Sequence, residues 1–484
     1  MRFQRYRMLE IIVVVFLSYL LYDYLSDFCW HINGPTNWFG IANTIEIALN
    51  YEYLLDLFQK YIDKYSIFTF KVLGFPRYVV INDPKCVEYI LKDNFDNFIK
   101  GKEFQANFED LLGDGIFSMD GPKWKMQRQA AAKIFHVNNF RDHMIHVFNH
   151  HLKTVCTILQ HSQQSDPVDF HGLMHRFTLD SFTEIGFGES VNSLKSKDVE
   201  FAVAFDGLQQ LTNESFFIPK PVLFIKNLIL GRFQLRRHYR KIIDQFSYKV
   251  IQTRLQKTSD INDDDLLSHF LKMKKASNET YQPQDLRNIV MNFIIAGRDT
   301  TAQALSWSVY ELRNKPDIID KIRKEVDAKI SNVNALTYDD IKSLTYTTAV
   351  FMECLRLHPS VPKNIKYSVD ADVLPDGTRI KANWGIAWSP YCMARTPSIW
   401  GKDCCELVPE RFLKEDYDPT INFSFHAGPR TCLGMNMAIL EAVATLATLY
   451  SKYDMNVLNK AEYNTTITLQ MKHPLFVKVQ QRSQ

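Results

Sequence analysis

Phe425-His426-Ala427-Gly428-Pro429-Arg430-Thr431-Cys432-Leu433-Gly434 runs directly into an apolar, helix-like stretch from Met435 to Tyr450, and this junction decides the fold. Alone, a cysteine beside a helix is an ordinary small buried hydrophobe. Its neighbours change that. Gly428 and Gly434 let the backbone pass close to a flat ring and turn sharply. Pro429 stiffens the turn, Arg430 offers a planar fork to a carboxylate, and Phe425 shields the sulfur from water. Together they describe a haem pocket, in which a thiolate ligand pushes electron density toward bound oxygen and favours O–O cleavage.

The pattern Phe-x-x-Gly-x-Arg-x-Cys-x-Gly fixes five identities over ten positions. It resembles the haem-binding loop of the cytochrome P-450 superfamily. The resemblance implies a mainly α fold with smaller β-sheets, haem b as cofactor, Cys432 as the iron ligand, and Arg430 and Phe425 in the haem pocket.

Three further segments follow in the order this family requires. Met291 to Tyr310 reads as a long apolar helix interrupted by Ala296-Gly297-Arg298-Asp299-Thr300-Thr301, polar groups that cost stability if buried without purpose. In the family this is the helix over the haem: Ala296 and Gly297 make room for oxygen, and Asp299 and Thr300 relay protons. Glu353-Cys354-Leu355-Arg356 places a carboxylate and a guanidinium three residues apart on one helix face. With Arg411 in Pro409-Glu410-Arg411-Phe412, it resembles the family's structural Glu, Arg, Arg lock. Trp124-Lys125-Met126-Gln127-Arg128 matches Trp-x-x-x-Arg, whose indole N–H and guanidinium suit haem propionates. Lys366, after Val361-Pro362, is a further propionate candidate.

The 484 residues show no Gly/Ser/Pro linker, internal repeat or low-complexity tract, so one large catalytic domain, residues 29 to 484, is expected behind an N-terminal anchor, residues 1 to 28. Segments between residues 50 and 360 are mostly helical in periodicity. Phe68 to Asn82 and Ile365 to Trp388 have strand and hairpin character, with a turn at Asp376-Gly377. Gly186-Phe187-Gly188 lacks the third glycine of a dinucleotide loop and reads as helix-end punctuation. With no flavin or nicotinamide motif, electrons come from another protein. The resemblance implies an NADPH-cytochrome P-450 reductase, with O2 and a lipid-like small molecule as substrates.

A net charge of +3 is near neutral for this length and argues against a nucleic-acid binder, which would show a concentrated basic face. The basic run Arg232 to Lys241 reads as a solvated helix face, with contact to acidic lipid or a partner as the alternative. Eight cysteines without metal-type spacing, two of them adjacent at Cys404-Cys405, fit a reducing compartment.

At the N-terminus, Met8 to Tyr22 is apolar except for Glu10, with Arg2, Arg5 and Arg7 before it and Asp23 and Asp27 after it. It resembles a membrane anchor, although a signal peptide or presequence shares this composition. Positive-inside reasoning would retain the arginines in the cytosol and send the enzyme to the lumen. Family precedent gives the expectation adopted here: the endoplasmic reticulum membrane with a cytosolic catalytic domain. Asn213-Glu214-Ser215 and Asn278-Glu279-Thr280 are glycosylation acceptors only in the lumen.

Asn94 to Gly101 and Asp110 to Phe117 resemble fatty-acid omega-hydroxylases of plants and fungi, as do Asn292 to Trp307 and Ala427 to Gly434. Candidate channel walls are Phe104, Phe108, Phe117, Phe216, Phe217 and Ile295. His426 and Lys381-Ala382-Asn383-Trp384, which lacks the usual glycine, depart from that pattern. Hydroxylation at or near the terminal carbon of a fatty acid is therefore expected. Oxidation of an alkane, sterol or other terpenoid, rearrangement of fatty hydroperoxides, and a non-enzymatic haem carrier stand as alternatives. The intact Asp299-Thr300 pair weighs against the last two.

Overall fold

The computed structural model describes residues 43–73, 75–134, 138–162, 167–196, 200–216, 220–256, 265–276 and 282–482, with Ser18, Gly34, Pro35 and Ile218. Apart from Ser18 the proposed anchor lies outside these, as do Phe217 and Asn278. Among the described residues, no helix is long and apolar enough to cross a membrane.

The architecture is mainly helical with small sheets. The largest sheet contains β1 (Phe68–Lys71), β2 (Arg77–Ile81), β3 (Phe98–Ile99), β4 (Asn364–Ser368) and β5 (Gly385–Trp388), in the order β1-β2-β5-β4-β3. β2 and β5 are parallel, with Tyr78 opposite Gly385 and Ile81 opposite Trp388. Parallel neighbours need a crossover, and here it comprises most of the helical chain. The Asp376-Gly377 turn closes a small hairpin, Asp372–Val373 on Arg379–Ile380, with Gly377 at φ +87°. Where the related pattern has glycine, Asn383 takes φ +64°, a left-handed conformation that Asn tolerates better than most residues.

The helices that position the site are α1 (Gly101–Leu112), α2 (Gly121–Ile134), α3 (Phe170–Phe187), α4 (Glu200–Glu214), α5 (Lys220–Ile229), α6 (Arg232–Gln256), α7 (Pro283–Ile294), α8 (Thr300–Leu312), α9 (Thr345–Leu357) and α10 (Met435–Lys452). α10 is apolar around most of its circumference, as a core helix must be: Ala442, Val443, Leu446, Ala447 and Leu449 are completely buried. It packs with α8, α9 and the long helix Asn138–Ser162. α3 ends at Gly188, which adopts φ +76° as its C-cap, so the Gly-Phe-Gly segment is a helix stop.

Glu353 and Arg356 form a buried bidentate pair through Nε–Oε2 at 2.7 Å and Nη2–Oε1 at 2.8 Å. Arg356 also donates to the carbonyls of Ala394, Cys404 and Glu406. Arg411 lies 3.3 Å from Glu353 Oε1 and donates to the carbonyls of Trp400 and Asp403. The two guanidiniums therefore clamp residues 400–406 onto α9, a load no surface ion pair carries. The basic run on α6 is less free than a solvated face: Arg232 pairs with Glu214, while Arg236 and Arg240 pair with Asp110.

Candidate active site

The Cys432 loop is a short 3₁₀ turn, Gly428–Arg430, leading into α10 at Gly434. Cys432 N–H donates to the Phe425 carbonyl at 2.9 Å, and Thr431 N–H and Oγ1 both donate to the Gly428 carbonyl. Gly428 has φ +62°, and a Cβ there would stand 2.1 Å from the Leu91 carbonyl oxygen, so no other residue fits. Among the described cysteines, only Cys405 and Cys432 are exposed. Protein nevertheless surrounds Cys432 on most sides. That burial raises its thiol pKa, opposed by the Gly434 backbone N–H and the Arg128 charge.

α2 delivers Trp124 and Arg128 to this loop. Arg128 donates to the Thr431 carbonyl. Arg430 lies 4.4 Å above the Trp124 ring, and Phe95 packs on that ring at 5.4 Å. Arg430 Nη2 donates to Asp120 Oδ1 at 2.9 Å and to the Met119 carbonyl at 2.7 Å, while its buried Nε has no hydrogen-bond partner among the described residues. Lys366, fully buried on β4, donates to the Phe98 carbonyl of β3 at 2.7 Å and lies over the Phe95 ring.

These cations outnumber their counter-charges. Among the described residues, Asp120 is the only carboxylate acting on Lys100, Lys366 and Arg430. Burial, with repulsion from Arg430, lowers Lys100 to about 7 and Lys366 to about 6, and burial lowers Arg430 to about 10. His426, at φ +65°, is pushed to about 3 by burial and the neighbouring Lys100 and Lys366. A ring bearing two carboxylates would supply the missing negative charge and a partner for Arg430 Nε. An accessible cysteine beside a close-packed glycine turn completes the donor set, so the residues present fit haem, with Cys432 placed to hold iron and Arg430, Arg128, Trp124, Lys366 and Lys100 placed for propionates.

Between α7 and α8 the chain makes a π-turn, Ile295–Asp299, a distortion frequent at functional sites. It lies within the polar patch of the sequence. Thr300 Oγ1 donates to the Ala296 carbonyl at 2.6 Å, and Ser360 Oγ donates to the Thr300 carbonyl at 2.7 Å. The expected open space at Gly297 is corrected here: a Cβ would lie 1.8 Å from the Phe182 ring of α3. The missing side chain admits Phe182 to the helix surface, leaving Ala296 beside Thr300 as the small residue of the pair.

Asp299 is wholly buried. Gln209 Nε2 donates to its Oδ2 at 2.6 Å and Arg298 Nη1 to its Oδ1 at 2.8 Å. Burial raises the carboxyl to about 6, with Arg298 opposing, so near neutrality it can hold or release a proton. Arg298 also forms a fork with Asp206 at 2.6 and 3.2 Å. Lys100, Asp120, Gln209 and the partner role of Arg298 were not singled out from the sequence. The run Ala296 to Thr301 gave the only hint, its Arg298 beside Asp299.

The site thus defines a class, the haem-thiolate oxygenases. Comparison with known proteins carries this to the family: the cytochrome P450 family model matches residues 32–480, and the chain belongs to that family. It is 33% identical to cytochrome P450 704B1 of Arabidopsis thaliana over 502 residues, 93% of this chain and 95% of that one. Cytochrome P450 86B1 of the same plant is 34% identical over 429 residues, 83% and 77% of the two chains. Cytochrome P450 monooxygenase cyp1 of Mycosarcoma maydis is 32% identical over 439 residues, 84% of this chain and 68% of that one. The protein is therefore a monooxygenase taking electrons from a redox partner. Bound haem supplies O2 activation, placing one oxygen atom in a small-molecule substrate and the other in water.

Proposed function

We propose that the enzyme hydroxylates fatty acids at or near the terminal carbon, with haem b held by Cys432 and propionates bound by Arg430, Arg128, Trp124 and Lys366. Phe425 shields the sulfur, and Asp299 and Thr300 deliver protons beside Ala296. Gly297 contributes through packing. The observation that carries the substrate reading is Phe117. Its backbone N–H is fixed to Asn292 Oδ1 of α7 at 3.2 Å, and Asn292 Nδ2 in turn holds the Leu112 carbonyl at 2.8 Å. This sets an exposed aromatic ring one helical turn before Ile295 and the π-turn. Phe104 and Phe108 of α1 and Phe216 after α4 meet ring to ring at 4.7, 5.2 and 5.7 Å. Such walls suit a flexible chain whose terminal methyl must be presented although weaker C–H bonds lie nearby, so positioning decides the product.

The test is a titration of the ferric protein with fatty acids of graded length, alkanes and sterols, following the Soret band. Saturable low-to-high-spin conversion by one window of fatty-acid lengths supports the reading. Conversion by sterols or terpenoids, with fatty acids inert, overturns it.

We further propose that residues 1 to 28 anchor a catalytic domain of residues 29 to 484 to the endoplasmic reticulum, facing the cytosol and an NADPH-dependent reductase. The described cysteines are all free, which supports a reducing compartment. Asn213 is buried and bonded to Tyr51, so it is not a glycosylation acceptor in the fold. On α5, Val222, Phe224, Ile225, Leu228 and Ile229 are exposed together, beside exposed Arg237, Arg240 and Lys241 of α6. Such a face suits the surface of an acidic bilayer. Sedimentation with anionic vesicles, abolished by removing residues 1 to 28 together with Phe224→Ser and Ile229→Ser, is expected; unchanged binding of that variant counts against both contacts.

A further inference from the structure

Three side chains face the buried Asp299 carboxylate: Gln209, Arg298 and, on α3, His175, whose Nδ1 lies 3.8 Å from Oδ1. The carboxamide does not titrate, and a guanidinium does not surrender its proton. Burial lowers Arg298, but Asp206 and Asp299 more than offset this and fix it in the charged form. The Arg298–Asp206 pair therefore connects Asp299 to the surface electrostatically but passes no proton. His175 is the one group of the three that can take up and release one.

Its geometry suits that task. Gln303 Nε2, an amide donor, faces His175 Nε2 at 3.3 Å, so Nε2 accepts and the neutral ring carries its proton on Nδ1, the nitrogen facing Asp299. Nδ1 is buried and makes no hydrogen bond among the described residues, so that proton is not engaged by them. The His175 side chain is 11% exposed where Asp299 is 0% exposed, so the imidazole lies nearer to solvent than the carboxylate does. His171 packs edge-on against the ring at 4.6 Å and holds Ser306 Oγ through Nδ1 at 3.1 Å, which fixes the orientation of the pair. About 1 Å of side-chain movement brings Nδ1 within hydrogen-bond range of Asp299.

We propose that His175 carries protons from solvent to Asp299. The Gln303 carboxamide turns to present Oε1, which is buried without a hydrogen-bond partner among the described residues, in place of its amide N–H. A proton from water binds the freed Nε2 and donates to that oxygen, the Nδ1 proton passes to Asp299 Oδ1, and the ring is left neutral with its proton on Nε2. Exchange with water returns the ring to the starting tautomer, and no electron moves. Burial, Arg298 and His171 hold the imidazole well below its usual range. Its protonated form is therefore a strong enough acid to protonate Asp299.

The experiment uses the haem-loaded enzyme with His175→Gln and His175→Asn, read in whichever retains the native Soret band. Electrons from NADPH are expected to divert to hydrogen peroxide, product per electron to fall about 5- to 10-fold, and the solvent deuterium effect on product formation to rise. Peroxide-driven turnover, which brings its own protons, stays unchanged. A readout independent of turnover is the infrared C=O band of protonated Asp299, identified by its loss in Asp299→Asn. After a pH jump in the ferric protein, it should appear more slowly without His175. Unchanged coupling in either variant, or an unchanged rate of appearance of that band, overturns the proposal.

Discussion

Arg430 of the cysteine loop and Asp120, the residue ahead of α2, meet at 2.9 Å across 310 positions of sequence. Asp120 also accepts the backbone N–H groups of Lys100 and Gly101, each at 2.9 Å. One carboxylate therefore ties the loop, the start of α1 and the cationic cluster together. Asp120→Asn keeps the shape and removes the charge, leaving a buried cation short of its partner at a cost of about 3 kcal/mol. The expected outcome is a melting temperature several degrees lower and a purified protein with reduced haem content. An unchanged melt would mean that Asp120 contributes only its hydrogen bonds.

The two loop glycines answer to different demands. At Gly428 the positive φ and the Leu91 carbonyl both exclude a side chain. At Gly434, φ is −87° and nothing lies within 4 Å of an added Cβ. Gly428→Ala is therefore expected to destabilise the protein with or without haem, by at least the roughly 1–2 kcal/mol of a left-handed non-glycine residue. Gly434→Ala should leave the haem-free protein as stable as the parent and weaken only haem binding. Parallel melts of haem-free and haem-loaded samples separate the cases, and equal behaviour of the two variants would contradict the assignment.

Lys366 gives a pH dependence whose sign is fixed. Burial lowers it from its ordinary range near 10.5 to about 6, so between these values the unfolded chain binds the proton that the folded chain lacks. Stability of the haem-free protein then rises with pH from about 6 to about 10. Lys366→Met removes the titrating group and should flatten this slope, most visibly as a gain in denaturation midpoint near pH 6. A parallel pH profile for parent and variant would show that Lys366 stays charged in the fold.

Recognition of the fold came from segments whose identities are local. The ten residues Phe425 to Gly434, the Glu353/Arg356 pair and Trp124/Arg128 each lie within a turn or two of chain, where spacing determines which side chains share a face. What stayed hidden depends on distant neighbours. Asp120 looks like a turn residue until Arg430 arrives from the far end of the sequence. Gly297 reads as open space until α3 sets Phe182 against it. His175, one imidazole beside Met174 in an apolar helix, carries no local sign that Asp299 lies across the helix contact. The charge of Lys366 suits a propionate on sequence alone, but its bond to the Phe98 carbonyl follows from β3 pairing with β4.

Glu441, on α10, supplies the opposite titration. It is buried against α3 and α8, and burial raises its carboxyl to about 8 despite the nearby Ser181 and Thr301 hydroxyls, which favour the charged form. The folded state retains a proton that the unfolded chain loses near pH 4.5, so stability falls as pH rises between about 4.5 and 8 and is level beyond. Glu441→Gln is neutral throughout and nearly isosteric, and its folded state has no such proton to retain. The variant should match the parent near pH 5 and exceed it near pH 8, measured as denaturation midpoints across that range. A parent whose stability does not decline in this window would mean that Glu441 is ionised in the core, and its neighbours on α3 and α8 would then have to carry the charge.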